Sequence, residues 1–147
     1  MPEIAAIGFM ADSVRIPMAS VSLIVLNVTF QSEARPDGTV SVERDAINAI
    51  YREAGEGEAR GLLKYSDEQN VSADMLGEDA AVVIEGVETH TRTGFINLTV
   101  PARTLAGRTE TVRVPLTHVK VFGWYDNEMG SYTYRLGQLT AQLARSI

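Results

Sequence analysis

Val119-Lys120-Val121-Phe122-Gly123-Trp124-Tyr125-Asp126-Asn127-Glu128-Met129-Gly130 carries an apolar alternation of β type straight into a polar turn. Downstream, Leu136, Leu139, Leu143 and Ile147 recur at helical spacing, so the turn opens an amphipathic helix. A strand, a tight turn and a helix that docks through its apolar stripe are expected in succession.

Working outward, residues 12–16 and 20–31 read as two further β segments separated by Pro17, which has no N–H to give a ladder. In the second of these, Val21, Leu23 and Val25 share one face, and Ile24, Leu26, Val28 and Phe30 share the other. A strand apolar on both sides is expected to be covered on both, one side by helices of the chain and the other by a second layer such as another subunit. Arg35-Pro36-Asp37-Gly38 has the residue order of a β-turn. Ser41 is a candidate N-cap for a helix running to about Ala54, with Gly55 as its stop. The glycines of Gly55-Glu56-Gly57-Glu58-Ala59-Arg60-Gly61 have the wrong spacing for a dinucleotide loop, and the acidic residues would repel a pyrophosphate. It reads as a connection. Residues 62–65, 81–85, 94–100, 111–114 and 118–125 supply short β segments. The mixture, without regular βαβ alternation, predicts a single α+β domain: a mainly antiparallel mixed sheet with helices packed on one face.

Composition narrows the function. The 147 residues carry a net charge near −6 and no run of Lys and Arg, which argues against nucleic acid as a partner. The apolar stretch from Val21 to Phe30 is about half of the roughly 20 residues a membrane helix needs. Neither a membrane span nor a secretory leader is expected, and the default location is cytoplasmic. Cysteine is absent, which excludes disulfides, thiolate metal sites and a thiolate nucleophile. His90 and His118 read as scattered surface residues, one in a loop and one at a strand start, so no metal site and no catalytic residue are expected.

The chain resembles the C-terminal part of the catalytic domain of glyceraldehyde-3-phosphate dehydrogenases. The resemblance rests on the Trp124-Tyr125-Asp126-Asn127-Glu128 turn and on pieces that keep the family's order: Pro2-Glu3-Ile4, Val14-Arg15-Ile16-Pro17 with Val21-Ser22, Asp45-Ala46-Ile47-Asn48-Ala49, Gly61-Leu62-Leu63-Lys64-Tyr65, and Val71-Ser72-Ala73-Asp74. Residues 102–118 stand out as an insertion that lengthens a hairpin. By resemblance, Arg15 matches the arginine that binds the C3 phosphate of the substrate, and Asn127 the asparagine that holds the nicotinamide carboxamide. Ser131 followed by Tyr132 departs from the tyrosine that family members often carry after the turn's glycine.

The resemblance further implies NAD or NADP as coenzyme of the complete enzyme, with neither bound tightly by this chain, and a phosphorylated aldehyde as substrate of the complete enzyme only. The coenzyme-binding Rossmann domain and the nucleophile segment are expected to lie outside this sequence, leaving the chain inactive alone. Family tetramers pack this sheet face to face, which implies a homo-oligomer through the sheet. Two other readings fit the same residues: a stand-alone oligomerisation or binding module derived from the domain, and a fragment of the related erythrose-4-phosphate dehydrogenases.

Overall fold

The computed structural model describes residues 8–35, 40, 42–101 and 110–146. Its elements are β1 (Ser22–Gln31), α1 (Arg44–Glu56), β2 (Leu63–Ser66), β3 (Val82–Glu85), β4 (His90–Val100), β5 (Glu110–Tyr125) and α2 (Ser131–Ala144). Together the strands form one five-stranded mixed sheet. β5 is its spine: β1 runs antiparallel along one flank from Ser22 opposite Tyr125 to Gln31 opposite Leu116. Along the other flank, β4 pairs from His90 opposite Lys120 to Val100 opposite Glu110, and β3 pairs at Val83 opposite Trp124. β2 adds to β3 in parallel. This is the expected α+β class, antiparallel except at one junction.

Alternation divides the sheet into two faces. On one, Ile47 and Tyr51 of α1 pack against Leu63, Tyr65, Val82, Ile84, Val119 and Val121. Asn48 of the same helix is buried and donates from Nδ2 to the Gly86 carbonyl at 2.9 Å, tying α1 to the end of β3. On the opposite face, Met75, Ala80, Val83 and Val21 form a smaller cluster under Trp124.

Several expectations are corrected. Residues 12–16 form no strand. Val14 and Ile16 are exposed, and Val21 enters β1 at φ 74, a left-handed backbone that a β-branched residue adopts only at a cost, so the chain cannot run straight from one segment into the other. Residues 111–114 and 118–125 belong to one strand, because Pro115 does not break β5. Its carbonyl accepts from Ser32 N at 3.1 Å, so its missing N–H falls where β1 ends. β4 begins at His90 rather than at residue 94, which puts His90 on a strand. The turn expected at 35–38 and the Ser41 cap fall largely outside the described residues; α1 starts at Arg44 with Glu43 as N-cap. Gly55 does not stop that helix. A Cβ there would lie 3.0 Å from the Leu63 carbonyl oxygen, so this glycine lets α1 approach β2, and the cap falls at Gly57.

Among the described residues, two apolar surfaces are uncovered. β1 is an edge strand, and Leu23, Ile24, Val25, Leu26, Val28 and Phe30 are 36–48% exposed. The sidedness expected of this strand is present, the cover is not. The stripe of α2 is not docked either: Leu136, Leu139 and Leu143 are exposed, because the helix leaves the end of the sheet and is held through its first turn. Ile147 lies outside the described residues.

These burials predict a contrast. Ile84→Ala, which empties the cluster beneath α1, is expected to cost about 2–5 kcal/mol in urea unfolding. Leu139→Ala, on the exposed stripe, is expected to stay within about 0.5 kcal/mol. Equal losses for the two would show that α2 packs in solution.

Candidate functional site

The turn after β5 is built around one carboxylate. Asp126 is fully buried. Its Oδ1 accepts from the backbone N–H of Glu128 at 2.9 Å and of Met129 at 3.0 Å, and its Oδ2 from Gly77 N–H at 2.8 Å. Its main-chain carbonyl accepts from the Ser131 hydroxyl at 2.6 Å, at the start of α2. One side chain thus closes its own turn, anchors the 3₁₀ segment Ser72–Met75 through the residues that follow it, and fixes where α2 begins. Burial pushes its pKa up, but the hydrogen bonds from Met129, Gly77, Glu128 and Gly130 outweigh that, and the net shift is downward.

A second buried carboxylate braces the strand before the turn. Glu85 accepts from the Trp124 indole N–H at 2.6 Å on Oε2 and from Asn70 N–H at 2.7 Å on Oε1. Close packing completes the anchorage: a Cβ on Gly130 would overlap the backbone of Glu78. Lys64 bridges Glu78 and Asp79 at 2.5 and 3.0 Å, a half-exposed contact that adds little stability.

Asn127 sits at the apex of this turn. Its side chain is exposed, and among the described residues it makes no hydrogen bond, so its amide can offer one donor and one acceptor outward. Arg15 is also exposed and makes no ion pair among the described residues. Ser22, where β1 starts, lies opposite Tyr125, where β5 ends, but no hydrogen bond among the described residues joins Arg15, seven residues before Ser22, to Asn127.

The sequence signals missed Asp126 and Glu85. Asp126 was legible only as one letter of a polar turn, since its partner Gly77 is 49 residues away. Glu85 closes an apolar run directly before a glycine, a weak hint of a buried carboxylate. Among the described residues no group of His, Asp and Glu could hold a metal ion, and no helix is long and apolar enough to cross a membrane.

Comparison with known proteins gives a consistent picture. The family described as "Glyceraldehyde 3-phosphate dehydrogenase, C-terminal domain" matches residues 1–127. Glyceraldehyde-3-phosphate dehydrogenase 1 of Bacillus cereus is 34% identical over 131 residues, covering 89% of this chain and 30% of that protein. Glyceraldehyde-3-phosphate dehydrogenase 2 of Streptomyces arenae is 33% identical over 147 residues, covering 100% of this chain and 34% of that protein. The Geobacillus stearothermophilus enzyme is 31% identical over 132 residues, covering 90% and 30%. The chain therefore spans about a third of the length of these relatives.

The lowered pKa of Asp126 sets a pH dependence. The carboxylate contributes stability above the unfolded aspartate value of about 3.9, and the contribution disappears as pH falls through the lower folded value. Acid unfolding is expected to begin at higher pH in Asp126→Ala than in the parent chain. At neutral pH that variant removes the acceptor shared by the Gly77, Glu128 and Met129 N–H groups, for a loss of about 2–4 kcal/mol. Thermal unfolding from pH 7 to pH 3 checks both, and a variant curve parallel to the parent throughout would show that Asp126 carries no such linkage.

Proposed function

The chain belongs to the glyceraldehyde-3-phosphate dehydrogenase C-terminal domain family, and from that premise we propose that it is the C-terminal catalytic-domain portion of a phosphorylating, NAD(P)-dependent enzyme of glycolysis, acting in the cytoplasm. Its part is positioning. Arg15 holds the substrate phosphate, for which a planar guanidinium able to make paired contacts is suited, and Asn127 holds the nicotinamide carboxamide. The observation that carries this reading is the turn pinned by Asp126, which exposes a free amide on a backbone fixed on three sides.

NAD(P) supplies the hydride acceptor when bound, and Asn127 is the residue here whose donor and acceptor fit its carboxamide. The chain's own residues orient the reactants, and such orientation lowers the barrier only where a nucleophile is also present. No cysteine occurs in the sequence, so the chain alone has no thiolate to attack an aldehyde.

Association through the sheet belongs to the same proposal. The uncovered apolar side chains of β1 support it, since exposed apolar patches of this kind mark interfaces. They also support the second reading, a derived oligomerisation module, which retains the surface without the ligand contacts.

The isolated chain is expected to show no coenzyme reduction with glyceraldehyde 3-phosphate, phosphate and NAD or NADP. Completed by a coenzyme-binding domain that brings a cysteine, it is expected to turn over, with Arg15→Gln raising KM for the phosphorylated aldehyde about 10- to 100-fold and Asn127→Ala raising KM for the coenzyme. Unchanged KM values in both variants would overturn these two ligand roles, and absence of turnover would favour the oligomerisation module. Sedimentation velocity is expected to show at least a dimer; a monodisperse monomer at high concentration would defeat the sheet interface.

A further inference from the structure

The register of β4 and β5 gathers basic side chains that lie far apart in sequence. His90 lies directly opposite Lys120, and Arg92 directly opposite His118. All four project from the sheet face opposite α1, since Val119 and Val121, their neighbours along β5, point into the α1 cluster. Directly opposed residues in such a ladder have Cβ atoms about 5 Å apart and diagonal ones about 7–8 Å. The four side chains therefore frame a patch about the size of one tetrahedral oxyanion.

Arg92 and Lys120 carry the fixed charges of this patch, on a diagonal of the ladder, and no carboxylate on the strands pairs with either. Between Leu116 and Phe122, the positions of β5 on this face and their partners on β4 carry no carboxylate. Glu85 faces the same way but is buried and engaged by Trp124 and Asn70. Glu110 lies eight residues along β5 from His118, roughly 27 Å at strand rise. The nearest acidic group is Glu88, 3.9 Å from the His90 Nε2 and also engaged by Gln69. On the β1 side the patch is flanked by neutral polar groups, Asn27 opposite Lys120 and Thr29 opposite His118. The Thr29 hydroxyl meets His118 Nδ1 at 2.9 Å, which orients the ring and leaves Nε2 for another partner.

We propose that His90, Arg92, His118 and Lys120 form an oxyanion-binding site on the open sheet face, separate from the Arg15 position and fitted to inorganic phosphate or a phosphate monoester. Arg92 and Lys120 supply charge from opposite corners, the two imidazoles add N–H donors, and Thr29 fixes one of those donors in place. Charge-assisted donors converging on one group are the strong class of hydrogen bond.

Amide NMR of the full chain, titrated at constant chloride with inorganic phosphate and separately with glycerol 3-phosphate, tests this. Saturable shifts are expected at residues 90–92 and 118–120 with at least one probe, and the stronger of the two identifies free ion or monoester. Arg92→Gln with Lys120→Gln is expected to weaken binding at least about tenfold, and Thr29→Val by a smaller factor, while Arg15→Gln leaves it unchanged. These side chains are exposed or half-exposed in the single chain, and an unchanged amide spectrum elsewhere establishes that the variants fold. If the double variant does not fold, Thr29→Val alone decides. Shifts that do not saturate, that survive these substitutions, or that vanish with Arg15→Gln would overturn the proposal.

Discussion

Every strand but β2 is paired to β5, and that single ladder of main-chain hydrogen bonds sets the positions of everything else. Its sixteen residues extend roughly 53 Å at strand rise, longer than any one neighbour, so its flanks are shared among β1, β3 and β4. The sharing has consequences at both ends. At the C-terminal end, β1 and β3 clamp the strand from either side just before the Asp126 turn, so Asn127 is delivered from the most constrained part of the sheet. At the N-terminal end β1 has stopped, and β4 and β5 continue as a two-stranded ribbon.

Alternation along β5 then assigns chemistry to faces. Residues 117, 119 and 121 are buried on the α1 side, where Thr117 continues the apolar row as a hydrogen-bonded hydroxyl, meeting Ser32 and, at 2.8 Å, Thr93. A buried hydroxyl with partners costs little, whereas one without would cost as much as a core cavity. The residues between them face the other way and stay polar at 118 and 120. A one-residue slip would bury His118 and Lys120 and expose both valines, so this register is strongly specified.

Local signals made much of this legible. The strand to Tyr125, the turn, both helices and the α+β class follow from periodicity and punctuation, because each depends on neighbours within a few residues. Pro115 misled because a proline's effect depends on where its missing N–H points, which is fixed by the length of β1 rather than by local sequence. Gly55 misled in the same way, its role being set by Leu63 across a helix–strand contact. The Asp126 network, the Glu85–Trp124 bond and the His90, Arg92, His118 and Lys120 patch all join residues through pairings of distant segments. Arg15 and Asn127 are singled out by motif alone; that β1 starts beside the end of β5 required the pairing of Ser22 with Tyr125.

Leu23 and Val25 of β1 and the basic side chains on β4 and β5 share one face of the sheet, and they make opposite demands on whatever covers it. Leu23 and Val25 favour burial. Arg92 and Lys120 resist it, because an ion taken out of water without a partner costs several kcal/mol even after relaxation, more than the roughly 1.5–3 kcal/mol gained by fully burying one leucine or valine. A second copy of the same face would bring the same bases with it. Cover by a like face therefore requires either an offset that leaves the patch at the rim in water or an anion between the copies that neutralises both.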